Sequence, residues 1–438
     1  MRLRTTEVAT ATGGRRHGPD VEVEGASVDS RTVEVGQLFV PIVAVRDGHD
    51  FIDDARRAGA AAHLTAREPG AGTAVVVEDT GEALWALGAA ARARLVDRVV
   101  GITGSVGKTT VKDLVAGGLG AALRTHATHG SYNNELGVPL TLLGAPDDAE
   151  AVVLELGARF PGDIARLRDL ARPTVGVITT IGAAHLEHLG GPEGVRLEKG
   201  SLLEGLPATG YAILNDVDCG PDVRARTVAT VVTFGTTSGD VRGTVVTLDD
   251  ELRPTVRIDS PWGAGEARLA VRGDHQAANA AAAVAVAVSA GVGFEAALAG
   301  VAGAEGSRWR AEFWRAPSGL RVLNDSYNAN PDSVGAALRA LAQVGASRRV
   351  AVLGRMAELG DASAAAHRRM GDLAGSLGIE VVAVGEPDYG GVLVADQDEA
   401  FSLLADLPDD AVVLVKASRS VGLDRLAERL RTHGVVAG

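Results

Sequence analysis

The 438-residue chain has little of what marks exported or membrane-bound proteins. Its single cysteine, Cys219, cannot form an internal disulfide, which is typical of a reducing compartment. Its most apolar stretch, Ala280–Val288, has nine residues, whereas a helix that crosses a bilayer needs about 20. The Arg- and Thr-rich start, Met1–Gly18, has no apolar core of the kind that signal peptides contain. We therefore expect a cytoplasmic protein that does not enter a membrane.

Positive charge and aromatic side chains are also scarce. Lys and Arg number 43 against 56 Asp and Glu, which gives a formal net charge of −13. Proteins that coat nucleic acid need a basic surface, so we expect no nucleic-acid partner. Aromatic residues make up 3% of the chain and hydrophobic residues 46%, so its cores must consist mainly of aliphatic and alanine side chains. The length is that of roughly three domains of about 150 residues each.

Short apolar runs alternate with helical segments along the chain, and this alternation predicts an α/β protein. Residues 1–97 have the pattern of a small α/β domain. Residues 98–311 contain short, continuous apolar runs that end in polar residues, as buried strands of a parallel sheet do. The segment Val228–Leu269 is expected to extend this sheet at its edge, and residues 312–438 to form another open α/β sheet. The strands expected in the central sheet are Arg98–Thr103, Ala151–Leu156, Val175–Ile181 and Tyr211–Asn215.

The strongest local signal is Gly101–Thr110, which reads GITGSVGKTT and lies between a predicted strand and a predicted helix at Lys108–Leu119. Backbone N–H groups of a glycine-rich turn and a helix N-terminus bind phosphate oxygens. Lys108 would add positive charge at the β- and γ-phosphates, and Thr109 would place its hydroxyl on Mg²⁺. A glycine turn without a ligand is the alternative, which the flanking strand and helix disfavour. The predicted phosphate site comprises Gly104, Ser105, Val106, Gly107, Lys108, Thr109 and Thr110.

Polar side chains also stand at the ends of two further predicted strands. In open α/β sheets, ligands bind outside the carboxyl ends of the strands. Glu155 lies at such an end, and a carboxylate there suits a hard cation such as Mg²⁺. His185 follows the next strand along the chain. A lone histidine is more often a surface or capping residue, but the nearby phosphate loop and Glu155 make His185 a candidate for the same site.

Segments along nearly the whole chain resemble the Mur ligases, the ATP-dependent amide-forming enzymes of peptidoglycan precursor synthesis. The loop GSVGKT has the form that this family uses. Four segments are similar in particular to those of the members that add D-alanyl-D-alanine, namely Ala183–Glu187 (AAHLE), Leu323–Ser333 (LNDSYNANPDS), Met356–Gly360 (MAELG) and Leu414–Ser420 (LVKASRS). The others are Ser27–Arg31 (SVDSR), Thr128–Leu143 (THGSYNNELGVPLTLL) and Val153–Ala158 (VLELGA).

The resemblance implies a three-domain Mur ligase architecture. Residues 1–97 would bind the UDP-sugar, residues 98–311 would form a P-loop parallel sheet that binds ATP, and residues 312–438 would form a Rossmann-like domain that brings the incoming amine. It also implies an ATP- and Mg²⁺-dependent ligase that joins D-alanyl-D-alanine to UDP-N-acetylmuramoyl-tripeptide through an acyl phosphate. The family precedent is a monomer in the cytoplasm.

The resemblance further implies a role for each matched residue. Lys108, Glu155, His185 and Lys199 would be catalytic. Thr109 and Glu155 would hold one Mg²⁺ and His185 a second, and Lys199 occupies the position of the family's carbamylated lysine. A carbamate forms on a neutral amine, so Lys199 would need a lowered pKa. Asn279, Arg308 and Asp325 would contact the nucleotide; Ser30, Arg31, Asn133 and Asn134 the UDP-muramyl substrate; and Tyr327, Asn328 and Asn330 the incoming dipeptide.

The sequence departs from the family pattern at Ser131, Gln276, Ser307 and Arg355, where Asn, Asn, Gly and an acid are usual. These departures spare the metal and phosphate residues but concern nucleotide contacts and amine specificity. A relative that joins a different amine to a carboxylate in secondary metabolism is therefore the nearest alternative. A non-catalytic nucleotide-binding protein of the same fold is a second, which the intact set of catalytic residues disfavours. A P-loop kinase and a folate polyglutamylating ligase fit less well.

Overall fold

The computed structural model describes residues 1–182 and 186–432, and the first part of the chain forms a small α/β unit. Its helices are α1 (Thr5–Thr12), α2 (Ile52–Ala58) and α3 (Thr80–Arg94). Its strands are β1 (Arg2–Arg4), β2 (Arg15–His17), β3 (Glu22–Glu24), β4 (Ala26–Ser27), β5 (Leu38–Phe39), β6 (Ala62–Thr65) and β7 (Ala74–Val76). The strand order in its sheet is β2-β7-β6-β5-β4, and β1 pairs separately with β3.

The central part of the chain forms a nine-stranded sheet within the described residues, with the order β16-β15-β14-β13-β12-β11-β8-β10-β9. Its strands are β8 (Val99–Thr103), β9 (Thr125–Ala127), β10 (Ala151–Glu155), β11 (Val175–Ile178), β12 (Tyr211–Asn215), β13 (Thr230–Gly235), β14 (Val241–Leu248), β15 (Pro254–Ser260) and β16 (Gly263–Arg268). The strands from β9 to β14 run parallel, and the last two are antiparallel. The parallel sheet and its edge extension, both predicted from the sequence, are confirmed.

The helices of this part connect the strands and cover the sheet. They are α4 (Lys108–Gly120), α5 (Gly137–Gly144), α6 (Asp163–Ala171), α7 (Leu186–Leu189), α8 (Pro192–Gly200), α9 (Pro221–Arg224), α10 (Gln276–Ser289) and α11 (Phe294–Gly303). Helix α10 is the alanine-rich helix that the sequence predicted, and it packs against α4 and β14. No helix in residues 1–182 and 186–432 is long and apolar enough to span a bilayer.

The last part of the chain forms a second open sheet, with the order β17-β18-β22-β19-β20-β21. Its helices are α12 (Pro331–Gln343), α13 (Ser363–Ser376), α14 (Gln397–Leu404) and α15 (Asp424–Arg431). Its strands are β17 (Glu312–Arg315), β18 (Arg321–Asn324), β19 (Arg349–Gly354), β20 (Glu380–Val384), β21 (Val392–Val394) and β22 (Val412–Lys416). All are parallel except β17, so this is the α/β sheet expected there.

Small side chains allow the central helices to pack closely. The eight residues from Ala280 to Ala287 in α10 are completely buried. Helices α4 and α11 approach at two glycines, because a Cβ at Gly117 would lie 2.6 Å from the carbonyl oxygen of Gly300. This close packing agrees with the scarcity of aromatic residues. It also fixes α4, whose first residue is Lys108, against the rest of the domain.

We expect Gly117→Ala to lower the free energy of unfolding by about 1–3 kcal/mol, since overpacking a tight contact forces the backbones apart. Gly120→Ala is the matched control, because Gly120 lies in the same helix and a Cβ there would meet nothing within 4 Å. That control should unfold at the temperature of the unmodified protein or slightly above it. Thermal unfolding checks both variants, and equal midpoints for the two would contradict the packing argument.

Candidate active site

The expected phosphate loop lies between β8 and α4 and rests on the end of β11. Gly104 has φ +152°, and a Cβ there would lie 1.9 Å from Thr179 Oγ1, so only glycine fits. The backbone N–H of Ser105 donates to the carbonyl of Thr180 (2.9 Å). The backbone N–H of Val106 donates to Thr180 Oγ1 (3.0 Å). The position of the first loop glycine therefore follows from its contact with the neighbouring strand.

Lys108 begins α4 and carries the positive charge of the loop. Its Nζ donates to the carbonyl oxygen of Gly104 (2.7 Å), within the loop itself. Burial lowers the pKa of this ammonium group, and the negative charge of Glu155 opposes that effect. A half-buried cation beside a helix N-terminus is an arrangement that binds an anion.

Glu155 ends β10 and is buried beside the loop. Its Oε1 accepts a hydrogen bond from Asn133 Nδ2 (2.7 Å). Its Oε2 is buried and has no hydrogen-bond partner in the described residues. An unpartnered buried carboxylate oxygen fits a hard cation, which favours oxygen ligands. Among the described residues no three His, Cys, Asp or Glu side chains cluster, so further ligands would have to come from other groups such as the Thr109 hydroxyl.

Lys199 lies near the end of α8 and is 1% exposed. Burial, followed by the positive charge of Lys108, lowers the pKa of Lys199 to about 7. The adjacent Glu198 is occupied elsewhere, since its carboxylate accepts hydrogen bonds from the N–H groups of Gly162 (2.7 Å) and Ile164 (2.6 Å). A substantial neutral fraction of Lys199 therefore exists near neutral pH. The other predicted metal ligand, His185, lies outside the described residues.

A cavity of about 370 Å³ lies between the phosphate loop and the last sheet. Asn279 of α10 reaches it and donates to Gln276 Oε1 (2.7 Å), so the longer amide at position 276 is held by its neighbour. The predicted site residues that line the cavity are Ser105, Val106, Gly107, Lys108, Thr109, Thr110, Asn279, Asp325, Asn328 and Asn330. The structure thus brings together residues that are more than 200 positions apart in the chain.

Lys416 closes the cavity from the C-terminal side, and the sequence reasoning missed it as a site residue. It ends β22 and is 2% exposed. Its Nζ donates to Asp325 Oδ2 and to the carbonyl oxygen of Asn328 (2.9 Å). Burial lowers the pKa of Lys416, and the charge of Asp325 opposes this effect. The sequence feature that could have identified Lys416 is its position at the end of a strand, inside the segment LVKASRS.

The structure places Arg308 away from the cavity, and its predicted nucleotide contact stays a prediction. Its side chain is 74% exposed and lies outside the cavity, 3.9 Å from Glu428. Arg310 lines the cavity instead and donates to Thr109 Oγ1 (3.0 Å), while its Nε is buried without a partner in the described residues. The backbone is left-handed at Trp309 (φ 61°) and Ala311 (φ 52°), between and beside the exposed Arg308 and the cavity-lining Arg310.

Predicted substrate residues outside the cavity lining occupy four different settings. Asn133 contacts Glu155, as described above, whereas Asn134 Oδ1 accepts the backbone N–H of Gly137 (2.9 Å) and thereby supports the start of α5. Arg31 is exposed and pairs with Asp29 (2.6 Å) in the first part of the chain, and Ser30 is its neighbour. Tyr327 contacts the hydroxyl of Ser131, and the Arg310 guanidinium lies 4.2 Å from the centre of its ring. The structure therefore places Arg31 apart from the cavity and Asn134 in a structural hydrogen bond.

Two family models match the chain: the Mur ligase middle domain over residues 102–287, and the Mur ligase, glutamate ligase domain over residues 309–419. UDP-N-acetylmuramoyl-tripeptide–D-alanyl-D-alanine ligase of Mycobacterium tuberculosis is 38% identical over 92% of this chain and 91% of that protein. The Escherichia coli K12 enzyme of the same name is 34% identical over 96% of each chain.

Solved structures of similar proteins cover nearly the whole chain. MurF from Acinetobacter baumannii superposes with a TM-score of 0.87 at 32% identity and covers 98% of this chain and 99% of that one. MurF ligase from Thermotoga maritima in complex with ADP has a TM-score of 0.80 at 28% identity and covers 93% and 97%.

We expect Arg310→Met to weaken ATP binding at least tenfold, because a charge-assisted hydrogen bond to phosphate contributes about 1.5–3 kcal/mol. Arg308→Met removes the same charge two positions away, at an exposed site. It should change the affinity less than twofold. Calorimetric titration of both variants with ATP and Mg²⁺ separates them, and a larger effect at Arg308 would restore the prediction made from the sequence.

Proposed function

The chain belongs to the Mur ligase family, and we propose that it joins D-alanyl-D-alanine to UDP-N-acetylmuramoyl-tripeptide in an ATP-dependent reaction. The observation that carries this proposal is the identity of 34–38% to ligases of that name over more than nine tenths of the chain. The cavity between Lys108 and Lys416 supports it, since two cations that line it from facing domains suit an anionic nucleotide. The reaction would belong to cytoplasmic peptidoglycan precursor synthesis.

We assign residues 1–97 to the UDP-sugar domain, residues 98–311 to the ATP domain and residues 312–438 to the domain that brings the amine. Each assignment is supported by a separate sheet in the described part of the chain. The cavity lies where the second and third of these domains meet. Asn328 and Asn330 line it from the C-terminal side, and we infer that they and Tyr327 border the entrance of the dipeptide.

The chemistry requires activation of a carboxylate, because an oxide ion is too poor a leaving group for direct attack by an amine. An oxygen of the tripeptide's terminal carboxylate would attack the γ-phosphorus of ATP, and ADP would leave. The amine nitrogen of D-alanyl-D-alanine would then attack the acyl carbon, lose a proton and expel phosphate. Lys108 and Arg310 line the cavity and would offset the negative charge that develops on the transferred phosphoryl group.

The carboxylate of Glu155 fits Mg²⁺, since one of its buried oxygens has no partner in the described residues. The hydroxyl-bearing Thr109 lines the cavity between the two sheets. We propose Thr109 and Glu155 as ligands of one Mg²⁺ and His185, which lies outside the described residues, as a ligand of a second. A carbamylated Lys199 is a further proposed metal ligand. When bound, the ions would neutralise charge on the phosphates. The lowered pKa of Lys199 supports carbamylation, because carbon dioxide reacts with the neutral amine.

A second candidate differs only in the amine. Arg355, where the family has an acid, is exposed at the carboxyl end of β19, the same end of the sheet at which Lys416 ends β22. A changed charge at this place favours a ligase for another amine as the runner-up. The assay below distinguishes the two.

We expect phosphate release from ATP to require both UDP-N-acetylmuramoyl-tripeptide and D-alanyl-D-alanine. Reactions that lack either substrate are the controls, because the acyl phosphate forms on one and is consumed by the other. Phosphate release with a different amine, and none with D-alanyl-D-alanine, would contradict the proposed amine substrate but still indicate an ATP-dependent ligase. ATP binding without amine-dependent release would instead indicate a non-catalytic nucleotide-binding protein.

We expect Lys199→Ala to abolish amine-dependent phosphate release and added short-chain carboxylic acids to restore part of it. The acid would occupy the space of the carbamate and supply the missing carboxylate. Lys199→Ala without acid, and the unmodified protein with acid, are the controls. Full activity of the variant, or a loss that no acid restores, would contradict the carbamate.

A further inference from the structure

Lysine is rare in this chain, and the sites where it occurs are unusual. Four lysines stand among the 43 basic residues: Lys108, Lys112, Lys199 and Lys416. All the other Lys and Arg positions of the chain are arginine, including those on the exposed surface. Lys108, Lys199 and Lys416 belong to the candidate active site described above. Lys112 has no assigned role, although it is 3% exposed and lies one turn after Lys108 on α4.

The ammonium group of Lys112 has an acceptor for each of its three N–H bonds. Nζ donates to the carbonyl oxygens of Thr128 (2.8 Å) and Gly130 (3.0 Å), and it lies 2.7 Å from Asp113 Oδ1. A compact ammonium with three donors matches this arrangement, whereas a planar guanidinium is larger and directs its donors differently. The geometry thus explains why a lysine stands here in a chain that otherwise uses arginine.

The two carbonyls belong to the substrate loop, which we define as residues 128–134. Both ends of this loop are tied to β10. The Thr128 Oγ1 accepts the backbone N–H of Glu155 (3.1 Å), and Asn133 Nδ2 donates to the carboxylate of the same residue (2.7 Å). The Lys112 bonds hold Thr128 at the first end and Gly130 between the ends, where Gly130 takes a left-handed conformation (φ +54°). Four contacts therefore fix the loop relative to the carboxylate proposed to bind Mg²⁺.

Asp113 extends this connection to the segment that leads into the C-terminal domain. Its Oδ2 accepts hydrogen bonds from the backbone N–H (2.8 Å) and the Oγ (2.7 Å) of Ser307. Three residues later, Arg310 donates to Thr109 on the first turn of the same helix. One face of α4 thus contacts the substrate loop through Lys112 and the interdomain segment through Asp113 and Thr109.

We propose that Lys112 is a positioning residue for ligation, which holds the substrate loop in place for the UDP-muramyl peptide and connects it, through Asp113 and Ser307, to the amine-bringing domain. This inference rests on the proposed function, since it takes the loop as part of the UDP-muramyl site. Lys112 itself contacts neither substrate. Its loss therefore affects binding of the sugar nucleotide while the phosphate loop, one turn earlier on the helix, keeps its own contacts.

The test compares Lys112→Met with Arg98→Met, a matched control. Arg98 also anchors two backbone carbonyls, those of Ala290 (3.0 Å) and Glu150 (2.9 Å), but it precedes β8 and so lies at the opposite end of the strand from the phosphate loop. We expect Lys112→Met to raise the KM for UDP-N-acetylmuramoyl-tripeptide about 10- to 100-fold, with the KM for ATP changed less than threefold. Arg98→Met should leave both values unchanged. Equal increases in both KM values for Lys112→Met would overturn the proposal.

Lys112→Arg and Asp113→Asn complete the series. Lys112→Arg keeps the positive charge, but its KM for UDP-N-acetylmuramoyl-tripeptide should remain above that of the unmodified protein. A KM equal to that of the unmodified protein would show that charge alone suffices and would contradict the positioning role. Asp113→Asn weakens both of the Asp113 contacts and should raise the KM for the sugar nucleotide less than Lys112→Met does. If Lys112→Met does not fold, Asp113→Asn decides the question, and an unchanged KM in that variant overturns the proposal.

Hydrogen exchange separates this inference from the proposed function, because it needs no substrate. In the unmodified protein without ligands, the amides of residues 128–134 should exchange at least tenfold more slowly than in Lys112→Met, or than in Asp113→Asn if the first variant does not fold. Arg98→Met should leave these rates unchanged. Faster exchange in the variant, together with no amine-dependent phosphate release by the unmodified protein, would support the role of Lys112 in the loop and contradict the proposed ligase function. If exchange in the variant is unchanged while the unmodified protein releases phosphate in an amine-dependent way, the role of Lys112 is contradicted and the ligase function is supported.

Discussion

Burial of positive charge around one cavity is the constraint on which the rest of the site depends. An ammonium group loses its hydration when it is buried, so it must find acceptors or lose its proton. Lys108, Lys112 and Lys416 find backbone carbonyls and carboxylates. Lys199 takes the other course, and its pKa falls to about 7. The same electrostatic cost thus leaves three lysines held by acceptors and one lysine with a lowered pKa.

The sheet topology determines where this charge collects. In the central sheet β8 lies between β10 and β11, and the three strands run parallel. Their carboxyl ends therefore meet at one edge, where the phosphate loop contacts Thr179 and where Glu155 ends β10. The last sheet brings the ends of β18 and β22 to the facing side of the cavity, with Asp325 and Lys416. Two separate sheets supply the two walls of one site.

Much of this arrangement was predictable from local sequence. Residues 104–110 combine a strand end, glycines and a helix start, so their structure follows from neighbouring residues. Glu155 was found by the rule that ligands gather at the carboxyl ends of strands. Arg310 and Arg308 stand in similar local sequence, and only the backbone turn between them separates a cavity residue from an exposed one. Asn134 likewise has a residue type that suits a substrate contact, but its side-chain oxygen accepts a hydrogen bond from the backbone N–H of Gly137 at the start of α5.

The sequence by itself determined the fold class, the phosphate loop and the family, because each depends on short segments whose spacing is preserved along the chain. The tertiary structure decided which charged side chains meet. Lys112 contacts carbonyls 16 and 18 positions away, and Asp113 contacts Ser307 across 194 positions. Such contacts depend on the direction of each side chain and on the packing of distant elements. No local pattern encodes either of these, so the roles of Arg310, Lys416 and Lys112 emerge only when the chain is folded.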